Sequence, residues 1–131
     1  MNDISSLIPR SKFDLKRAEA AVAAGYPAVN PILPQLLEWL QDYNWPVAHV
    51  LAPFLAKIGT PLIPHIRHVL ASDDDIWKYW VLSCIVAESP EVAVVFRTEL
   101  ERYATTPTKN ESAEGLNEIA QEILEQLNGV T

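Results

Sequence analysis

The chain has 131 residues, 49% of them hydrophobic and 21% charged, with a formal charge of −7 and a single cysteine. Such a length supports one ordinary hydrophobic core and such a composition excludes a disordered chain, while the lone Cys84 excludes an internal disulfide and suits a reducing cytoplasm. Residues 1–87 carry eight acids and seven bases and residues 88–131 nine acids and three bases, so the acidity is C-terminal and no cluster of bases tracks a phosphate backbone.

No apolar run approaches the ~18 residues of a membrane span, and "MNDISSLIPRSKFDLKRAEA" lacks the apolar centre of a signal peptide. A soluble, unprocessed protein is expected, with neither nucleic acid nor membrane as a direct partner. Strand signals are missing: nothing alternates apolar and polar residues between hairpin turns. The chain reads as helices. The first is expected over "KFDLKRAEAAVAA", capped by Ser11 and ended by Gly25 ahead of Pro27.

First-type helices are expected at about 31–41, 61–71 and 90–103. At an offset of about 30 residues, Pro31 pairs with Pro61, Ile32 with Leu62, Pro34 with Pro64, Leu36 with Ile66 and Leu40 with Leu70. The register runs on, with Leu62, Ile66 and Leu70 opposite Val92, Phe96 and Leu100, and Ser89-Pro90 opening that third helix. Proline is at home only in a first turn, which leaves two readings of each pair. Either the helix starts at the first proline, or a tight turn precedes a helix that starts at the second.

Second-type helices follow polar turns: "DYN" leads into "WPVAHVLAPFLAKIG" and "SDDD" into "IWKYWVLSCIVAES". Trp45 and Trp77 occupy equivalent places at their starts, and Pro53 is expected to kink the former near His49. The run from Ile76 to Ala87 is apolar on nearly every side, the pattern of a central helix. "YATTPTKNESAEG" is the longest polar connection and the expected mobile loop. The last helix, "SAEGLNEIAQEILEQLNG", has Leu116, Ile119, Ala120, Ile123, Leu124 and Leu127 on one face and Glu114, Glu118 and Glu122 on a solvated one. Ser112 is its expected cap and Asn128-Gly129 its end.

"PILPQLLEWLQDYNWPVAHVLAPFLAKIG" and "PLIPHIRHVLASDDDIWKYWVLSCIVA" resemble HEAT-like repeats: a proline-led first helix, Asp at the turn, a second helix and a closing Gly. The resemblance implies an all-α fold, a short right-handed solenoid of about seven helices forming one domain over residues 1–131, with its first and last helices as caps. Such repeats carry an acid-to-base ladder, for which Asp42, Asp73 and Asp75 supply acids and Lys78 a base, but Ala48 takes the basic place in the first copy. Any ladder is therefore expected to be incomplete and the stack to be held mainly by apolar packing. "NWPVA" beside "WKYW" is similar to a small group of bacterial proteins known as a domain of unknown function, a likeness that brings no activity with it.

No catalytic, cofactor or metal site is expected. His65 and His68 stand three apart on one helix without a local third ligand, Asp73–Asp75 sit where a helix needs its cap, and neither a Gly-rich phosphate loop nor a G-x-S-x-G elbow is present. HEAT-like DNA glycosylases, by resemblance, need a basic groove that this chain lacks. The expected function is a non-enzymatic protein-interaction module acting as a monomer or weak dimer, in a narrower form an immunity-type protein that masks a toxin. Its expected contact face is Trp45, His49, Asp73, Asp74, Trp77 and Lys78, with burial in the core as the competing reading for both tryptophans.

Overall fold

The computed structural model describes residues 3–129, and among them all regular structure is helical. The α-helices are α1 (Leu15–Ala24), α2 (Leu33–Glu38), α3 (Pro46–Ile58), α4 (Ile63–Leu70), α5 (Asp75–Cys84), α6 (Pro90–Ala93), α7 (Arg97–Thr105), α8 (Lys109–Ala113) and α9 (Leu116–Leu127). Short 3-10 turns precede α2 and α4, at Asn30–Ile32 and Thr60–Leu62, and others follow α2, follow α5 and separate α6 from α7.

The prolines dictate the first of these turns. In a regular helix the Asn30 carbonyl would receive the N–H four residues on, but that residue is Pro34, which has none. The carbonyl takes the Leu33 N–H instead, and the backbone tightens into a 3-10 turn. At Pro64 the same deficit leaves the Thr60 carbonyl to the Ile63 N–H. Of the two readings of the paired prolines, the second therefore holds: a tight turn carries the first proline, and the second sits in the opening turn of the α-helix. Val94–Phe96, between α6 and α7, contains no proline, and no residue in it accounts for the break.

Two of the three sets of equivalent positions are buried throughout, while in the third Leu70 is only partly buried between the buried Leu40 and Leu100. Ile32, Leu62 and Val92 are buried, and so are Leu36, Ile66 and Phe96. α3 turns sharply into the α4 segment, at 108°, and α5 into the α6–α7 segment, at 120°, with Gly59 supplying the positive φ of 74° at the first corner. α3 continues through Pro53 without interruption. α5 packs against α3, α4 and α9, and α9 lies along α7, so one continuous apolar cluster runs from Ala18 to Ile123. Among the described residues no single helix is long and apolar enough to cross a membrane.

Two caps differ from expectation. Asp14, not Ser11, caps α1, its carboxylate accepting from the Arg17 N–H at 3.3 Å; Ser11 accepts from Phe13 in the preceding turn. Gly115, at φ 84°, begins α9, and Ser112 lies inside α8 instead of capping. The expected mobile loop is largely helical. α7 runs to Thr105, and α8 opens with a reciprocal capping box in which Thr108 accepts from the Glu111 N–H while Glu111 accepts from the Thr108 N–H. Glu111 is buried and meets Arg102 through two bonds, 3.2 and 2.6 Å, and the Arg102 guanidinium lies 4.8 Å from the Tyr103 ring centre. Asn110 donates to Asp75 at 2.6 Å, tying the segment to α5.

A buried bond joins α5 to α2: the Trp77 indole N–H donates to the Leu37 carbonyl at 3.0 Å. Replacing Trp77 by Phe removes this bond while the Leu37 carbonyl keeps the Trp39 backbone N–H, a loss expected to cost about 0.5–1.5 kcal/mol. Urea titration should show a lower midpoint at unchanged slope; a variant within ~0.5 kcal/mol of wild type, the size of an ordinary surface change, would count against the bond's importance.

Burial pushes the Glu111 carboxyl upward, but the Arg102 bond, the Thr108 N–H and the Arg102 charge outweigh it and hold the group below the ordinary glutamate range. A depressed folded pKa means stability that is complete above the ordinary value and lost as pH falls through the folded one. Glu111→Gln should therefore flatten the acid limb of the stability profile and lower neutral-pH stability by about 1 kcal/mol. An acid limb identical in both proteins would refute this.

Candidate functional site

A cleft of about 550 Å³ opens between α3 and α5, a volume in the range of small-ligand and peptide pockets. Its cause lies in side-chain size. α3 contributes Ala52, Pro53 and Ala56 and α5 contributes Ser83 and Cys84, all too small to fill the space between two helices that Tyr43 and Trp80 hold apart. Lys57 and Glu88 complete the lining; both are exposed, and among the described residues neither forms an ion pair.

Aromatic rings form a column at this cleft. His49 stacks on Tyr43 with centroids 4.4 Å apart and planes at 20°, and Tyr43 stacks on Trp80 at 5.1 Å and 27°. Tyr79 meets Trp80 edge-on at 5.0 Å. Such a wall offers flat apolar area with few rotatable bonds, the property that favours aromatic residues as contact anchors.

A second cleft, of about 340 Å³, lies between α2 and α4. α2 supplies Pro34, Leu37 and Glu38, α4 supplies His65, His68 and Val69, and Trp77 of α5 closes the set. Burial, and then the neighbouring His68, hold the His65 imidazole below its ordinary pKa. Arg67, between the histidines, serves another face: its guanidinium stands 3.6 Å from Glu99 and 5.1 Å from the Phe96 ring centre.

The six residues singled out from the sequence do not make one contact face. Trp77 is only 9% exposed, its indole N–H spent on Leu37, and Lys78 is 6% exposed with its ammonium 3.0 Å from Asp75, so neither lies at an open rim. That ion pair joins residues of one helix, and Asp42 accepts from the Asn44 N–H in its own turn, so the expected ladder between repeats is not formed by these side chains. Asp74 caps α5, accepting from the Trp77 N–H at 3.0 Å, while Asp73 is exposed beside it. Trp45 is half-buried edge-on to Trp39 at 5.6 Å. His49 alone of the six joins the aromatic column. Sequence reasoning passed over Tyr43, Trp80 and the small residues opposite them; the spacing of Ala52 and Ala56, one turn apart, was the available signal.

Chemically these surfaces are suited to binding. Among the described residues no three His, Cys, Asp or Glu side chains converge to hold a metal ion. Cys84, though it lines the larger cleft, is no activated nucleophile: burial, and then the Glu88 charge, push its thiol up to about 11 from 9.0. Two pH units correspond to about 100-fold less thiolate. Maleimide labelling of the native protein at neutral pH should accordingly run about 100-fold slower than labelling of the urea-unfolded chain, and equal rates would show an accessible, ordinary thiol.

No curated protein matches the chain. A family model described as "Domain of unknown function (DUF5071)" matches residues 7–124. That match spans the helices from α1 through most of α9 and includes both clefts, and the chain therefore belongs to the DUF5071 family of domains.

Proposed function

We propose that the chain is a non-enzymatic protein-interaction module, one domain over residues 1–131 built as a short right-handed solenoid of HEAT-like helix pairs, which engages a protein partner in the cleft between α3 and α5. The observation that carries this reading is the stacked column His49–Tyr43–Trp80 along a cleft walled by small residues. These rings stabilise the fold where they meet the core, but their half-exposed faces beside a small-residue floor remain open to a partner, and rings of this kind dominate the energetics of protein interfaces. The solenoid reading is supported by the two proline turns, which have the same backbone bonds in both copies. A narrower form, a cytoplasmic immunity-type protein that neutralises a toxin, is favoured by the net charge of −7, which would speed encounter with a basic partner.

Ala56→Arg tests the cleft without removing any core contact, because it places a long side chain into the open space. In quantitative affinity capture from the native host, a partner held by wild type should be depleted at least ~30-fold by the variant, the loss of about one 2 kcal/mol anchor. Circular dichroism should show both proteins equally helical. Capture that is equal for both, or empty for both, would sink the proposal.

A further inference from the structure

The second cleft differs from the first in its charge. Glu38 is the one formally charged residue in its lining, it is exposed, and among the described residues its carboxylate forms neither an ion pair nor a side-chain hydrogen bond. Two cations on the flanking helices are engaged elsewhere: Arg67 of α4 turns to Glu99 and Phe96, and Lys78 of α5 is buried on Asp75. From α4, His65 and His68 face the same space, and His65 resists protonation. The rest of the wall, Pro34, Leu37, Val69 and Trp77, is apolar.

We infer that the cleft between α2 and α4 is a receptor for one basic side chain, a lysine or arginine presented by a partner protein. An aliphatic stem with a cationic head has the polarity of this cleft: the stem covers apolar wall as charged residues do on protein surfaces, and the head reaches the free carboxylate at the mouth. A neutral imidazole beside it offers an acceptor nitrogen. An anionic group would meet Glu38 in a lining that holds no lysine or arginine, and among the described residues no third ligand converges to hold a metal ion. The chain's net charge of −7 favours approach of a basic partner. This site is separate from the aromatic cleft, so either assignment can fail alone.

Acidification should empty the receptor. As pH falls through the lowered value that His65 has in the free protein, protonation places a positive charge next to the bound cation, so affinity falls below that pH and is unopposed by this group above it.

The test uses an acetylated, amidated pentapeptide with lysine at its centre and alanine elsewhere, its arginine counterpart, and the uncharged norleucine isostere. Nuclear magnetic resonance would follow the Trp77 indole and the His65 and His68 imidazoles. The lysine or arginine peptide should give saturable shifts with a Kd of roughly 1–10 mM, reasonable for one side chain. The norleucine peptide should bind at least ~10-fold more weakly, and Glu38→Gln, an exposed change that spares the fold, should weaken the cationic peptide by at least ~10-fold. No shift with either cationic peptide at ~50 mM, or equal binding of norleucine, or indifference to Glu38→Gln, would overturn the assignment.

Discussion

The indole N–H of Trp77 reaches a carbonyl 40 residues away, that of Leu37, and this buried bond fixes how α5 is rotated about its own axis. A helix that is apolar on nearly every side has weak rotational preference, since burial is non-directional. One hydrogen bond with a definite direction removes that freedom. Once Trp77 is fixed against α2, Trp80, Ser83 and Cys84 are presented to α3, and the edge of the Trp77 ring closes the space between α2 and α4. Both clefts thus take one wall from the same helix, which this bond holds against α2 while Asn110 holds its Asp75 end from the other side of the chain.

A second constraint acts locally and twice. Because Pro34 and Pro64 bring no N–H, each segment must begin with a tightened turn, and that turn sets which side chains of the following helix point inward. Leu36 and Ile66 follow these turns in the same register, and both are fully buried. The bend after α3 depends on backbone as well, through the positive φ of Gly59. Missing donors and a missing Cβ therefore shape the frame on which the apolar packing is laid.

Much of the fold was legible in the sequence because helix periodicity and the 30-residue register are strong, redundant signals. Burial of Leu36, Ile66, Phe96, Ile119 and Ile123 follows from spacing alone. Caps were read less well where two polar residues competed: Asp14, adjacent to α1, displaced Ser11. The segment after α7 was misread for its polarity, although Thr108 and Glu111 stand at capping-box spacing and that spacing is what orders it. The candidate site was the least legible part. Trp77 occupies the third position of a helix whose cap is Asp74, which is visible in the sequence, but the Leu37 carbonyl that draws it inward is a tertiary feature. The His49–Tyr43–Trp80 column likewise joins residues from a turn and two helices, and no periodicity within one element announces it.

The floor of the larger cleft is made of Ala52, Pro53, Ala56, Ser83 and Cys84, side chains that carry almost no recognition chemistry of their own. What they contribute is emptiness. Ala52 is also part of the core and has no room to grow, but an added methyl at the partly buried Ala56 or Ser83 would change the depth of the cleft with little effect on the helices. The depth of this cleft is therefore set by volume alone, at partly buried positions where a step as small as alanine to valine reshapes it.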